Sequence, residues 1–574
     1  MKRILLIATI TAIFINVSFA ATPEEIQRNI DTMYKEYIRQ MEIENRSRFT
    51  RETEKPQQKP LRKTSGPKKR LKKIDVRHSE VPGISEKEIN GILAPYSELN
   101  IGAEDISDIQ QKLQQLYFDA GYASARIYID GNTIAEDILT FVIVDGYIED
   151  IVFKRKSGRR YSGFSQSLQR FSFYPFPQGC LLNIKDLDQG IEQMNRLQTG
   201  NAAMEILPGS KNGYSVVEVT NNAEDRFTVN FGADNSGIKS TGIYKADTSV
   251  NIDNLFMLND NIYFNYSRNI DGNYDNKASN SYFASLSIPF GYFTFMFSSF
   301  YSDYDTPPGI NIGSFRTDGS TNNNNASLEM VIKRSQSYKL SAGAEMAVKD
   351  TKNNVSGEEV SVSSRKLSTA SGFLTSTHYI KSGSLYTKLS YSRGLDVFDA
   401  AKNNEITGAP KAQFDSYGLY ARYSAPFEIP LIGLKSSYSA SLNAQYSPDI
   451  LYASEQVSIG GQSSVRGFKE GSVSGDRGGY FRNDLYWTLS SIFGRNGWLG
   501  LLNKTSINGF IDYGYARHEA YGQDYQLAGS GAGASFSTKY FNASFSWSRS
   551  IYNESYLEDE GSVLYCRVEA KMSF

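Results

Sequence analysis

Residues 456–487 read QVSIGGQSSVRGFKEGSVSGDRGGYFRNDLYW. The stretch is a Gly- and Ser-rich connection with one conspicuous cation, Arg466, set between two segments in which apolar and polar residues alternate. Long connections without structure of their own are uncommon and are usually functional or disordered. Arg466 and its neighbours are therefore candidates, and the flanking segments decide what kind of fold carries them.

From Phe227 onward helical periodicity disappears and a period of two takes over. Phe541, Ala543, Phe545 and Trp547 alternate with Asn542, Ser544, Ser546 and Ser548, and Phe293, Phe295 and Phe297 repeat the pattern. About sixteen such segments share roughly 350 residues, or about 22 per strand and turn, which suits bilayer-spanning strands of ~9–11 residues. They lie near 227, 242, 259, 280, 292, 323, 338, 365, 384, 413, 437, 480, 505, 528, 541 and 563. Alternation alone also fits a soluble sandwich or a propeller. The last segment argues for a membrane: Leu564, Cys566, Val568, Ala570, Met572 and Phe574 share one face, with Tyr565, Arg567, Glu569, Lys571 and Ser573 on the other. A final strand that is apolar on one face and ends in Phe resembles the terminal strand of bacterial outer-membrane barrels. Such a sheet must close, because an open edge in hydrocarbon leaves backbone groups unpaired.

Composition agrees. The chain has 574 residues, too many for one ordinary core, so several units are expected. The formal net charge of −1 gives no whole-chain case for nucleic acid. With 38 Tyr, 33 Phe, only 3 Trp and 47 Gly, the chain is rich in strand and turn formers. Cys180 and Cys566 are far apart and predict no disulfide framework. Lys2 and Arg3, the apolar run from Ile4 to Phe14 and Ser18-Phe19-Ala20 have the three regions of a secretory signal peptide over 1–20.

In residues 21–50, Thr22, Pro23 and Glu25 form a helix start, and Ile26, Ile30, Met33, Tyr34, Tyr37 and Met41 make a narrow apolar stripe. Residues 51–72 are a basic, Pro-containing linker that cannot bury enough surface to fold. Two α+β units follow over 73–147 and 148–222. The first shows helical patterns at 85–93 and 106–120 before strands at 123–130 and 138–145. The second repeats the order with a strand at 148–154, helices at 164–171 and 184–197, and strands at 203–207 and 215–219.

Taken together, GG-x-S-x-V-R-G-F, G-D-R-G and R-N-D-L within 460–485, and Phe510-x-Asp512-x-Gly514, resemble the signatures of TpsB translocators of two-partner secretion, relatives of the BamA-like barrels. The α+β order, and GCLLNIKDLDQGIEQMNRLQTGNAAMEILPG at 179–209 above all, resembles POTRA domains. The resemblance implies a transmembrane β-barrel of about 16 antiparallel strands over 223–574, preceded by two POTRA domains and an N-terminal amphipathic plug helix. It implies a loop folded back into the pore, with Val465, Arg466, Gly467 and Phe468 at the tip, Gly475 and Asp476 at the base, and Asp512 on the wall holding Arg466. It also implies an outer-membrane location with periplasmic POTRA domains. The partner would be an unfolded TpsA-type exoprotein with an N-terminal secretion domain, a haemolysin, adhesin or contact-dependent inhibition toxin, moved without ATP. Outer-membrane lipids, periplasmic chaperones and the barrel assembly machinery would be the partners in biogenesis.

A groove beside Leu187, Ile191, Met194, Met204 and Ile206 in the second POTRA unit is the candidate exoprotein contact, through addition of an extended peptide to a sheet edge. No catalytic constellation or cofactor motif is legible, and His78, His378 and His518 lack metal-ligand spacing. An outer-membrane insertase close to BamA and a diffusion porin remain as alternatives.

Overall fold

The computed structural model describes residues 69–574 apart from 79–80, 97–99, 132–136, 156, 159, 162, 175–177, 222–224, 272–277, 308–314, 336, 362, 404–405, 407, 432 and 490–504. The expected signal peptide, plug helix and most of the linker lie outside the described residues. The last linker residues, Lys69–Arg70, pair with Asn100–Ile101 and so are part of the first α+β unit.

That unit is built from β1 (Lys73–Arg77), α1 (Glu86–Leu93), α2 (Ala103–Ala120), β2 (Arg126–Asp130) and β3 (Ile138–Val144). α1 starts where the Ser85 hydroxyl accepts from the Glu88 amide and the Glu88 carboxylate accepts from the Ser85 amide, satisfying two of the helix's unpaired donors. α2 ends at Gly121, whose φ of 104° places it in the left-handed region. Ile109, Leu113 and Tyr117 on one face of α2 meet Phe141 of the sheet.

The second unit repeats the plan with β4 (Tyr147–Arg155), α3 (Phe164–Phe173), α4 (Ile184–Asn195), β5 (Ala202–Pro208) and β6 (Tyr214–Asn221). Its sheet order is β4-β6-β5, with β4 parallel to β6 and β5 at the edge.

The remainder closes into a barrel of sixteen antiparallel strands. These are β7 (Phe227–Asp234), β8 (Lys245–Asp253), β9 (Asn261–Asn269), β10 (Ala278–Phe290), β11 (Phe293–Thr306), β12 (Thr317–Arg334), β13 (Tyr338–Val355) and β14 (Arg365–Ile380). They continue as β15 (Gly383–Leu395), β16 (Asp415–Ile429), β17 (Leu434–Tyr446), β18 (Arg477–Thr488), β19 (Thr505–His518), β20 (Gln523–Ser537), β21 (Phe541–Glu554) and β22 (Ser562–Ser573). Every segment expected from the period of two is a strand. Its apolar face points outward: Phe293, Phe295, Phe297, Phe541, Phe545, Trp547, Leu564, Val568 and Met572 are all exposed. That band is the lipid-facing surface of a membrane barrel.

The seam pairs β22 with β7 from Arg567↔Asp234 to Ser573↔Thr228. On its inner side Arg567 binds Asp234 of β7 and Asp247 of β8 at 2.7 and 2.6 Å, so one side chain ties three strands at the closure. Phe545→Arg on the lipid face should lower barrel stability by about 2–4 kcal/mol near the bilayer midplane. Urea titration of the barrel in lipid vesicles measures this, and Ser546→Arg on the opposite face should cost much less.

Candidate functional site

The connection from β17 to β18 turns into the barrel. Val457–Ile459 and Val473–Gly475 pair as a short antiparallel ribbon, and the chain between them carries Val465, Arg466, Gly467 and Phe468 to the inner wall. The hydrophobic effect seats this tip. Ile459, Val465, Phe468 and Val473 are fully buried against Tyr480 of β18, Ala516 of β19 and Tyr525 and Leu527 of β20, a small apolar core inside a polar lumen.

Arg466 is 7% exposed, so its charge has to be compensated. Its Nε donates to Asp512 Oδ2 at 2.6 Å and its Nη2 to Asp512 Oδ1 at 2.7 Å, a two-pronged contact. Nη1 and Nη2 donate to both oxygens of Asp484 at 2.8 and 3.2 Å, and the guanidinium lies 3.5 Å from the centre of the Phe510 ring. The Arg466 amide also donates to Asp512 at 3.1 Å. Adjacent strands make this possible: β18 and β19 pair with Arg482 opposite Asp512 and Asp484 opposite Phe510, so both carboxylates face inward side by side.

The wall is bare where the tip lands. A Cβ on Gly529 of β20 would collide with the Arg466 carbonyl oxygen, and one on Gly514 would press on Val465 and Ile459. Gly467, at φ 113°, lies against the backbone of Arg549 and Ser550 in β21.

At the loop base, Asp476 is fully buried and accepts from the amides of Leu451 at 2.6 Å and Glu519 at 2.8 Å and from the Gln456 side chain at 3.1 Å. Gly475 lies against the Arg517 backbone. The loop also reaches the opposite wall, where Lys349 of β13 binds Glu455 at 2.8 Å and Arg365 of β14 stacks on Tyr452.

A family model for the haemolysin secretion/activation proteins ShlB/FhaC/HecB matches residues 213–536, more than half of the chain. The chain belongs to this ShlB/FhaC/HecB family. Its two α+β units match a ShlB-type POTRA domain over 70–146 and a POTRA domain over 147–208. Among curated relatives, the outer membrane transporter CdiB of Dickeya dadantii is 30% identical over 82% of each chain. The hemolysin transporter protein HpmB of Proteus mirabilis is 28% identical, covering 70% of this chain and 69% of its own. The solved structure of CdiB from Escherichia coli superposes with a TM-score of 0.84 at 25% identity, covering 96% of this chain and 99% of that one.

The barrel of this ShlB/FhaC/HecB member lies in the outer membrane with its POTRA domains in the periplasm. The loop and POTRA 2 occupy opposite ends. POTRA 2 meets the barrel at the turns after β8, β10 and β12, whereas the inward connection is one of those at the other, external end.

Of the expected site residues, the structure brings Val465, Arg466, Gly467, Phe468 and Asp512 together and places Gly475 and Asp476 at the loop base. The POTRA 2 set divides. Leu187 and Met194 are sealed in the domain core, where α4 packs on the sheet, and therefore cannot touch a peptide without unfolding it. Ile191 and Met204 pack against that core, while Ile206 is 38% exposed on the edge strand β5. Sequence reasoning did not assign Asp484, although it stands in the R-N-D-L segment. Gly529, Gly531 and Gly533 were not assigned either, although glycine at every second strand position signals one bare face.

Losing one partner of a buried ion pair costs about 3–5 kcal/mol. Arg466→Ala and Asp512→Ala should therefore raise proteolysis of the loop on the order of 100-fold while the barrel stays folded. Gly529→Val should do the same by denying the tip its seat. Limited proteolysis of the protein in membranes, beside heat-modifiable gel migration, checks all three.

Proposed function

We propose that this protein is the translocator of a two-partner secretion system, carrying an unfolded exoprotein from the periplasm through the barrel to the cell surface. The observation that carries this reading is the loop tip held by Arg466 on the inner wall at Asp512 and Asp484, at the end of the barrel opposite the POTRA domains. A porin that passes small solutes has no use for two periplasmic domains. The relatives named as CdiB and HpmB transporters support the same assignment.

In this reading the exoprotein first adds its backbone to the open edge of β5, where hydrogen bonds to main chain accept many sequences and Ile206 supplies an apolar contact. The plug helix of 21–50 occupies the lumen at rest, and the linker gives it the length to leave. No step is catalytic, and folding of the exoprotein outside supplies the driving force. The barrel itself reaches the membrane through periplasmic chaperones and the barrel assembly machinery.

Two measurements test this. In cells producing the cognate exoprotein, Ile206→Asp should cut its surface appearance at least roughly tenfold, the effect expected when a few kcal/mol of edge contact is lost. In planar bilayers, removing residues 21–50 should raise the time-averaged conductance several-fold. Unchanged conductance would exclude a resting plug.

A further inference from the structure

Helix α4 is buried on two faces that differ in kind. Leu187, Ile191 and Met194 pack on the POTRA 2 sheet, as expected of an amphipathic helix. On its other side Gln189, Glu192 and Gln193, together with Arg196 at its C-terminal cap, recur at spacings of three and four and are all buried, which leaves four polar side chains out of water. The barrel rim covers them. Glu192 accepts from Arg334 at 2.8 Å and from Lys339 at 2.7 Å, cations on either side of the β12–β13 turn. Gln189 donates to the Gly291 carbonyl at 3.2 Å, and Gln193 to Thr294 at 3.2 Å. Arg196 donates to Ser287 at 2.9 Å and to the Asn259 carbonyl at 3.0 Å.

The neighbouring helix adds a second row. Gln169 donates to the Met257 carbonyl at 3.2 Å, Ser172 accepts from the Gly291 amide at 3.0 Å through its backbone carbonyl, and the Phe171 ring packs at a tilt against Phe290, 4.4 Å between centres. Three successive periplasmic turns are gripped at once. The N-terminus of α4 is fixed as well: the Ile184 amide and the Lys185 ammonium donate to the Gly121 and Asp119 carbonyls at the end of POTRA 1's α2.

Burying charge gains little net stability over an apolar contact, but it accepts only one geometry, since each group must meet its partner. We propose that α4 is a fixed strut and that Glu192 is its positioning residue, holding the β5 edge at a set place over the pore mouth throughout transport. The inference rests on the reading that β5 receives the exoprotein. Glu192 acts after recognition: it does not contact the exoprotein but delivers it in register to the lumen.

The test uses full-length protein in outer membranes, with three readouts: exoprotein secretion, binding of the exoprotein's N-terminal secretion domain, and the POTRA 2–barrel distance distribution from paired spin labels. Glu192→Gln should cut secretion at least tenfold and broaden the distances while leaving binding within twofold of wild type. The exchanged pair Glu192→Arg with Arg334→Glu should recover part of the loss. In a background lacking Cys180 and Cys566, a short thiol-reactive bridge between Phe171→Cys and Phe290→Cys should leave secretion the same before and after cross-linking.

Three results would overturn the strut: secretion by Glu192→Gln within twofold of wild type, binding weakened as much as by Ile206→Asp, or secretion that stops on cross-linking. Failure of the wild-type protein to bind the secretion domain would instead sink the receiving edge. The cross-link result, obtained with Glu192 intact, stands even where Glu192→Gln fails to fold.

Discussion

A guanidinium placed inside a barrel and shielded from water must be neutralised where it sits, and much of this molecule can be understood from that demand. Two carboxylates, Asp512 and Asp484, surround Arg466, and Arg482 approaches Asp512 at 3.9 Å, so two cations face two anions. Their juxtaposition depends on strands β18 and β19 holding one register, because a slip of either strand by one residue would turn its own carboxylate toward lipid and separate the two. Gly529 of β20, Gly514 of β19 and the apolar cluster around Val465 and Phe468 then let the loop backbone come close enough for the ion pairs to form. Hydrophobic burial brings the tip to the wall, and electrostatics fixes its orientation there.

The two ends of the barrel solve different problems with the same means. At the outer end a single loop is braced across the lumen, from Asp512 on one wall to Lys349 on the other, with further ties from Glu470 to the first hairpin and from Glu560 to the amides of Lys469 and Glu470. At the inner end the second POTRA domain is joined to the rim through polar side chains. Both attachments are specific in geometry, because each buried charge meets its own partner.

Much of this was legible in the sequence because the relevant physics is local. A strand that borders lipid on one side and water on the other must alternate, so the sixteen strands could be read one by one, and Phe541 to Ser548 or Leu564 to Phe574 suffices to show the pattern. The helical patterns at 85–93 and 106–120 were legible for the same reason, because helical periodicity is set within a turn or two of chain. Arg466 and Asp512 were paired through resemblance, not through spacing. Asp484 stayed unassigned because its role arises only when β18 pairs with β19.

The polar face of α4 was hidden for a related reason. Gln189, Glu192 and Gln193 look like an ordinary solvated stripe until a barrel closes above them. Leu187 and Met194 misled in the opposite sense: apolar residues near a groove are more often the floor that supports it than the surface that binds.

The central claim is that Arg466 and Asp512 act as one unit, and a double-mutant cycle reads this most directly. Exoprotein secretion should be compared among wild type, Arg466→Ala, Asp512→Ala and the double variant at equal barrel abundance. If the two side chains work only through each other, the double variant secretes no worse than the more damaged single variant. If instead the two losses multiply, the residues act independently and the seated loop does not carry the function assigned to it.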